Sequence, residues 1–553
     1  MIYAIWLDIL LALATHFWLR NYRPKSLLLL IAPILTIPGF LAYHLHSDPP
    51  SRHATFQIYA VFLGALLSSI IVYRVSPLHP LAKYPGPTLC KISKLWTMFI
   101  AYRGGLHLYH QALHVEYGPI VRVGPNELSI ADKSFIPLIL GSSGLPKGPL
   151  WEGRSFSSTN EKVNNTKLLS VKDPQRHAQL RKPWDQAFKA TPLHSYGEIL
   201  VEEVGKFTNL LEEKYRTSED GKAHVDIARW ISYLSFDFMG YMAFGTEFNL
   251  VRNGDKDGVF ENLESAIFWP SVLQHIPWVT PMMHAVPFAG TSIKKFAAFA
   301  MTQAKIRCGK NAQKRDLFHF MLDALESDPK KDPLPFIFNT SVTAIVAGSD
   351  TTATALCTIV YYLMRYPASL ARLRRELDEA FSFEDCAPVN ISQLAELEFL
   401  NAVANEALRL QPPLPNSLQR APPEGSEGKM CGTTYIPEGT AVIIPPYTLH
   451  RDPEYFSPRS EEFWPERWIV KDDPTVVLDL DAFIPFSYGP ANCAGKPLAM
   501  QELRYITAVL VRQFDIVPET GFDLETWEEG LKDRFLLAKG PLPVVISPRQ
   551  SAR

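Results

Sequence analysis

Three apolar stretches open the chain: Met1–Leu19, Leu27–Leu45 and Thr55–Tyr73. Each comes close to the roughly 20 residues that cross a bilayer's hydrocarbon core. The third, TFQIYAVFLGALLSSIIVY, carries no charge. The second holds Pro33 and Pro38, which predict a kink or a re-entrant path. The first holds Asp8, tolerable near an interface and costly at the midplane. A cleaved signal peptide fits poorly, because no positive charge precedes the first run and two more runs follow. Residues 1–75 therefore read as a permanent membrane anchor of one to three transmembrane helices. Arg20, Arg23 and Lys25 lie in the first loop, only Arg52 in the second, and Arg74, Lys83 and Lys91 beyond the third run. That bias predicts that everything after Tyr73 is cytosolic.

The pattern changes at Pro77. The segment Pro77–Pro87 holds four prolines and one glycine, and residues 76–90 read as a stiff linker between membrane and globule. IVRVGPNELSIAD alternates and turns at Gly124-Pro125-Asn126, predicting a hairpin. Helical periodicity dominates after Asp173, in VDIARWISYLSFDFMGYMAF, Phe336–Met364, ASLARLRRELDEAF and ISQLAELEFLNAVANEALRL. Short strands return in TTYIPEGTAVIIPPY and PLPVVIS. Ser265–Phe288 is apolar but broken by four prolines, so a single helix is not expected. It reads equally as buried loop and core, or as a second membrane contact or apolar pocket entrance. Residues 91–553 are expected to form one domain, mainly α with a minor β portion.

Composition sharpens this picture in two ways. The 553 residues carry Lys+Arg 55 against Asp+Glu 57, a net charge of −2, which leaves no electrostatic footprint for nucleic acid. Before Pro77 the only charges are Asp8, Arg20, Arg23, Lys25, Asp48, Arg52 and Arg74, so the balance averages two different materials. The 6 cysteines are scattered without a Cys-x-x-Cys pair, as expected in a reducing compartment. The glycosylation-like triplets at Asn164, Asn339 and Asn390 would then be chance.

One cysteine does not look structural. Phe486-Ser-Tyr-Gly489-Pro490-Ala491-Asn492-Cys493-Ala494-Gly495 precedes the helical pattern KPLAMQELRYITAVLVRQF. Close glycines and a helix start let backbone N–H groups approach the sulfur and favour a thiolate. A lone thiolate suits a nucleophile or a single axial metal ligand, and no local base supports the nucleophile.

The pattern Phe486-x-x-Gly489-x-x-x-Cys493-x-Gly495 resembles the haem-binding loop of the cytochrome P450 superfamily, with an overall look similar to fungal microsomal members. The resemblance implies the cytochrome P450 fold, haem b, and Cys493 as the proximal iron ligand. Thiolate ligation favours O–O cleavage in that family. Phe486 would cover the sulfur, and Gly489 and Gly495 would let the backbone come close to it. Ala491 departs from the family, which usually has a propionate-binding base there.

Four further segments resemble the family. Glu406-Ala-Leu-Arg409 and Pro465-Glu466-Arg467-Trp468 imply a structural Glu406–Arg409–Arg467 network, where spacing alone would suggest a surface pair. His177-x-x-x-Arg181, together with Arg420, implies haem-propionate contacts that offset Ala491. Ala347-Gly348-Ser349-Asp350-Thr351-Thr352 resembles the oxygen-binding helix. Asp350 would relay protons, Thr351 would bond dioxygen, and Gly348 would admit a flat ligand; the residue pattern alone allows a satisfied buried polar cluster instead.

These likenesses imply a monooxygenase acting with O2 on a lipophilic small molecule, such as a terpenoid or other secondary metabolite. Hydroxylation or epoxidation is expected. The chain has no flavin or nicotinamide fingerprint, so electrons should come from NADPH through a separate NADPH–cytochrome P450 reductase. The endoplasmic reticulum is the expected membrane. Trp151–Thr166, Ser265–Phe288, Ile345, Ala347, Ser417-Leu418 and Phe535-Leu536 match positions that line the family's pocket. A haem-thiolate isomerase or peroxide-rearranging enzyme is disfavoured by the Asp350-Thr351 pair. A haem-less membrane scaffold has only Ala491 to motivate it.

Overall fold

The computed structural model describes residues 2–22, 27–45, 51–154, 167–279, 290–309, 315–323, 334–381, 389–416 and 418–549. Cys386, Asn164, Ser417, residues 155–166 of the first pocket segment and residues 280–288 of the proline-broken stretch lie outside them.

The N-terminal stretches form helices Ile2–Tyr22, Leu27–Leu45 and Arg52–Val75, packed together around Ala12, Phe62 and Leu66. The second is helical through Pro33 and Pro38. Packing against its neighbours carries it, and Tyr59 donates across to the Leu35 carbonyl at 2.7 Å. Among the described residues of these three, Arg52–Val75 is long and apolar enough to cross a membrane, and Leu28–His44 is a shorter apolar helix. The expected spacer Pro77–Pro87 is instead a run of turns whose Leu81 and Tyr84 are buried in a core with the first sheet.

Ile120–Gly124 and Glu127–Ile130 form the predicted antiparallel hairpin. It continues into a four-stranded sheet through Ala441–Ile444, paired in parallel, and Leu418–Arg420. A second sheet joins Phe514–Pro518, Pro543–Pro548 and Ala223–Asp226. The largest core surrounds the helix Leu334–Arg365, called the central helix below. Helices Ile227–Phe244, Thr291–Gly309, Glu398–Leu410 and Lys496–Gln513 pack on it. Asp226 caps Ile227–Phe244 by accepting from the Ala228 N–H, and Asp173 with Pro174 opens Pro174–Ala187 in the same way.

Ser265–Phe288 is not one helix, as expected: Val259–Leu273 runs through Pro270 to its end at Leu273, and a short 3-10 turn follows at Pro277–Val279. A short hairpin, Lys532–Arg534 with Leu536–Ala538, lies on the central helix, where Thr354 donates to the Leu537 carbonyl at 3.2 Å.

Candidate active site

Cys493 closes a tight loop. Its N–H donates to the Phe486 carbonyl at 2.9 Å, and the Asn492 N–H donates to Gly489 at 3.1 Å. Gly489 has φ 70°, and a Cβ there would lie 2.2 Å from the Leu140 carbonyl oxygen, so only glycine fits. The loop is thereby pressed against the helix Phe135–Leu140. Phe486 packs half-buried on the main core, with the Lys496 ammonium 5.6 Å from its ring centre.

Of the described cysteine side chains, Cys90, Cys357 and Cys431 are buried and Cys493 is exposed. Burial nevertheless raises the Cys493 pKa, against the Gly495 and Lys496 N–H groups and the charges of Arg181 and Lys496. Cys493 is thus accessible to solvent yet surrounded closely enough for burial to govern its thiol. Gly495 agrees, since a Cβ there would meet only the Phe188 ring at 3.8 Å and the Cys493 sulfur at 4.0 Å.

Beside the loop lies a cluster of cations. Arg181 donates to the Asn492 carbonyl at 2.6 Å and to its side-chain oxygen at 3.0 Å, tying the helix Pro174–Ala187 to the cysteine loop. His177 is buried on the same helix, and burial with Lys147, Arg181 and Arg420 nearby pushes its pKa down to about 4. Arg420 is buried, and burial lowers it to about 10. Lys147 faces Arg420 across an isolated antiparallel bridge. Burial, Arg420 and Arg181 bring it down to about 7. Its ammonium donates to the Leu168 carbonyl at 2.6 Å. The carboxylate nearest this group, Asp185, is exposed and pairs with Arg181 at 2.6 Å. Among the described residues none pairs with Lys147 or Arg420. Such a concentration of buried like charge suits an anionic group with more than one carboxylate.

A second buried cluster is balanced. Arg409 grips Glu406 with two bonds of 2.9 Å, and Arg467 adds one of 3.0 Å, all three side chains being 0% exposed. Burial alone would raise the Glu406 pKa, but Arg409, Arg467 and the Trp464 N–H outweigh it and the net shift is down. Arg409 also donates to the His450 carbonyl at 2.7 Å, and the His450 ring accepts from the Ile484 N–H at 2.9 Å. That chain of bonds leads directly into the cysteine loop. A surface pair, the reading from spacing alone, is excluded by this burial.

On the central helix Ala347 is exposed and Thr351 half-buried, although the helix crosses the core. Thr351 donates back to the Ala347 carbonyl at 2.6 Å. Asp350 accepts from the Lys539 ammonium at 3.0 Å. Ile345 is 0% exposed and faces the core, so of the two pocket positions on this helix only Ala347 opens to space. Gly348 does not admit a flat ligand: a Cβ there would lie 2.7 Å from Met239 Cε, so its bareness lets Ile227–Phe244 pack close. Leu418 and Leu536 are buried, and Phe535 is partly open.

The family model for cytochrome P450 matches residues 85–544. The chain belongs to the cytochrome P450 family. It is similar to the cytochrome P450 monooxygenase FCK2 of Fusarium pseudograminearum, at 34% identity over 88% of this chain and 85% of that one. Tryprostatin B 6-hydroxylase of Aspergillus fumigatus is 31% identical over 89% of this chain and 84% of its own. Cytochrome P450 67 of Uromyces fabae is 30% identical over 87% of this chain and 88% of its own. This P450 is therefore an oxidoreductase of the monooxygenase type, and its family implies a haem iron. The accessible thiol with N–H donors, beside buried cations, fits such a group.

Two residues of the P450 site escaped the sequence. Lys147 stands alone in Leu145-Pro-Lys-Gly-Pro149, and a lysine between turn formers in an apolar stretch was its one signal. Lys539 follows the hairpin in Leu536-Leu-Ala-Lys539-Gly and reaches Asp350 only through the fold.

Proposed function

We propose that this P450 is a membrane-anchored haem-thiolate monooxygenase acting on a lipophilic small molecule. The observation that carries it is the accessible Cys493 with its N–H donors, beside the buried Lys147 and Arg420, the neutral His177, and Arg181 tied to the cysteine loop. Bound haem iron supplies dioxygen activation and transfer of one oxygen atom to a C–H or C=C bond. Cys493 would hold the iron, and the Gly495 and Lys496 N–H groups favour its thiolate against the burial that raises its pKa. Lys147, Arg181 and Arg420 hold the propionates, with His177 as a neutral donor and no base at position 491. Phe486 and Gly489 fix the loop, while Glu406, Arg409 and Arg467 brace it through His450 and Ile484.

Thr351 offers a hydroxyl on the open face of the central helix, and Asp350, next in the chain, holds the carboxylate that brings a proton to it. Electrons come from NADPH through a separate reductase. Names such as tryprostatin B 6-hydroxylase among the relatives support hydroxylation of a secondary metabolite. Residues 1–75 form the anchor, on whose surface Tyr3, Trp6, Phe17, Leu28 and Phe56 are exposed, and residues 76–90 join it to a cytosolic catalytic body at 91–553 on the endoplasmic reticulum.

The test is the CO-difference spectrum of reduced membranes. Wild type should give a thiolate-type, red-shifted Soret band and Cys493→Ala none. Absence of the band in wild type, or its survival in the variant, would overturn the assignment.

A further inference from the structure

Lys539 is a buried lysine that none of the roles above uses. It leaves the hairpin Lys532–Ala538 two residues after the Leu537 carbonyl has bonded Thr354, and its side chain is 7% exposed. Its ammonium donates to Asp350 Oδ1 at 3.0 Å and reaches Thr354 Oγ1 at 3.4 Å. Asp350 itself is 21% exposed, so this contact is a mostly desolvated ion pair. Neighbouring residues on a helix do not share a face. A carboxylate held toward the hairpin is thus directed away from the groove where Ala347 and Thr351 are accessible.

The other charges around the pair come from three elements. Glu264, on Val259–Leu273, lies within electrostatic reach of both Lys539 and Asp350, and pairs with Arg229 at 3.4 Å. Both Glu264 and Arg229 are exposed, at 53% and 45%. Asp226, the cap of Ile227–Phe244, and the buried thiol Cys357 complete the set. Burial disfavours the charged lysine, yet Asp350 foremost, with Glu264, offsets it and the Lys539 pKa is raised. Charges of alternating sign therefore run from the solvent-facing Arg229–Glu264 pair inward to Lys539 and Asp350.

We propose that Lys539 is a positioning residue that latches the Asp350 carboxylate toward the C-terminal hairpin, so that delivery of a proton at Thr351 requires this ion pair to open. The inference rests on the proton-relay reading of Asp350. In the step itself the carboxylate leaves the ammonium, takes a proton arriving from solvent along the Glu264 side, and passes it to the acceptor beside Thr351; the proton moves with no change of oxidation state in the relay. The lysine keeps its own protons throughout and sets when the carboxylate is released.

The test compares Lys539→Met, Lys539→Arg, Asp350→Asn and the double variant Lys539→Met/Asp350→Asn in the full-length enzyme, with the CO-difference band as the check of folding. Removing the ammonium leaves a largely buried carboxylate without its partner, and its proton affinity rises. Infrared spectra of Lys539→Met should gain a neutral carboxyl band near neutral pH that the double variant lacks. This readout does not depend on turnover. Product formed per NADPH should fall with rising pH at a point displaced alkaline by about one unit or more in Lys539→Met. Lys539→Arg should restore the wild-type profile. An unchanged profile and no carboxyl band in Lys539→Met, with Asp350→Asn still uncoupled, would overturn the latch and leave the relay standing. A wild-type profile in Asp350→Asn would overturn the relay, and the latch with it.

Discussion

The two buried charged clusters of this P450 are built on opposite rules. Around Glu406 every charge meets its opposite: two arginines, the Trp464 N–H and the Trp468 indole all donate to one carboxylate. Around Lys147 the charges share a sign: beyond burial, Arg420 and Arg181 lower its proton affinity, and Lys147, Arg181 and Arg420 lower that of His177. A balanced cluster spends its interactions within the fold. An unbalanced one is incomplete without a partner from outside, because burying charge without compensation costs several kcal/mol per ion. The difference separates a brace from a binding site without reference to any motif.

Breaking the brace should have the largest effect. Glu406→Gln leaves two fully buried guanidinium groups facing a neutral amide, and should destabilise the enzyme by about 3–5 kcal/mol in denaturant titrations. Intact stability would mean that the network is dispensable. Next comes the unbalanced cluster. Arg420→Met and Lys147→Met should each speed haem loss roughly ten- to hundredfold, the worth of one charge-assisted bond, with the fold retained by circular dichroism.

The same cluster predicts a pH dependence in the apoprotein. Lys147 titrates at about 7 in the folded chain, against about 10.4 when unfolded. Between these values the unfolded chain holds a proton that the folded chain has released, so stability rises with pH over that window. Lys147→Met should flatten the rise, and a slope unchanged by the variant would remove Lys147 from the account. The smallest effect is a rescue: Ala491→Arg in the Lys147→Met background should slow haem loss severalfold. No rescue would mean that position 491 does not reach the same carboxylates.

What the sequence disclosed was local. Cys493, Phe486, Gly489 and the Glu406–Arg409 pair sit in fixed short spacings, so the loop and half the brace are visible before any fold. What it hid depends on distant segments meeting. Lys147 joins Arg420 only because the strand Leu418–Arg420 lies beside residues 146–148, and Lys539 meets Asp350 only because the C-terminal hairpin folds onto the central helix. Helices Leu27–Leu45 and Val259–Leu273 carry prolines in their interiors, and the packing that accommodates them comes from other segments. Gly348 was misread for a related reason, since its partner, Met239, belongs to another helix.

The central claim is that Lys147, Arg181 and Arg420 are paired by the carboxylates of the prosthetic group. Binding of haem and of its dimethyl ester, whose propionates carry no charge, to the apoprotein tests it most directly. The ester should bind at least about tenfold more weakly to wild type, and this gap should close in Lys147→Met/Arg420→Met. Equal affinity of the two forms for the wild-type apoprotein would contradict the account.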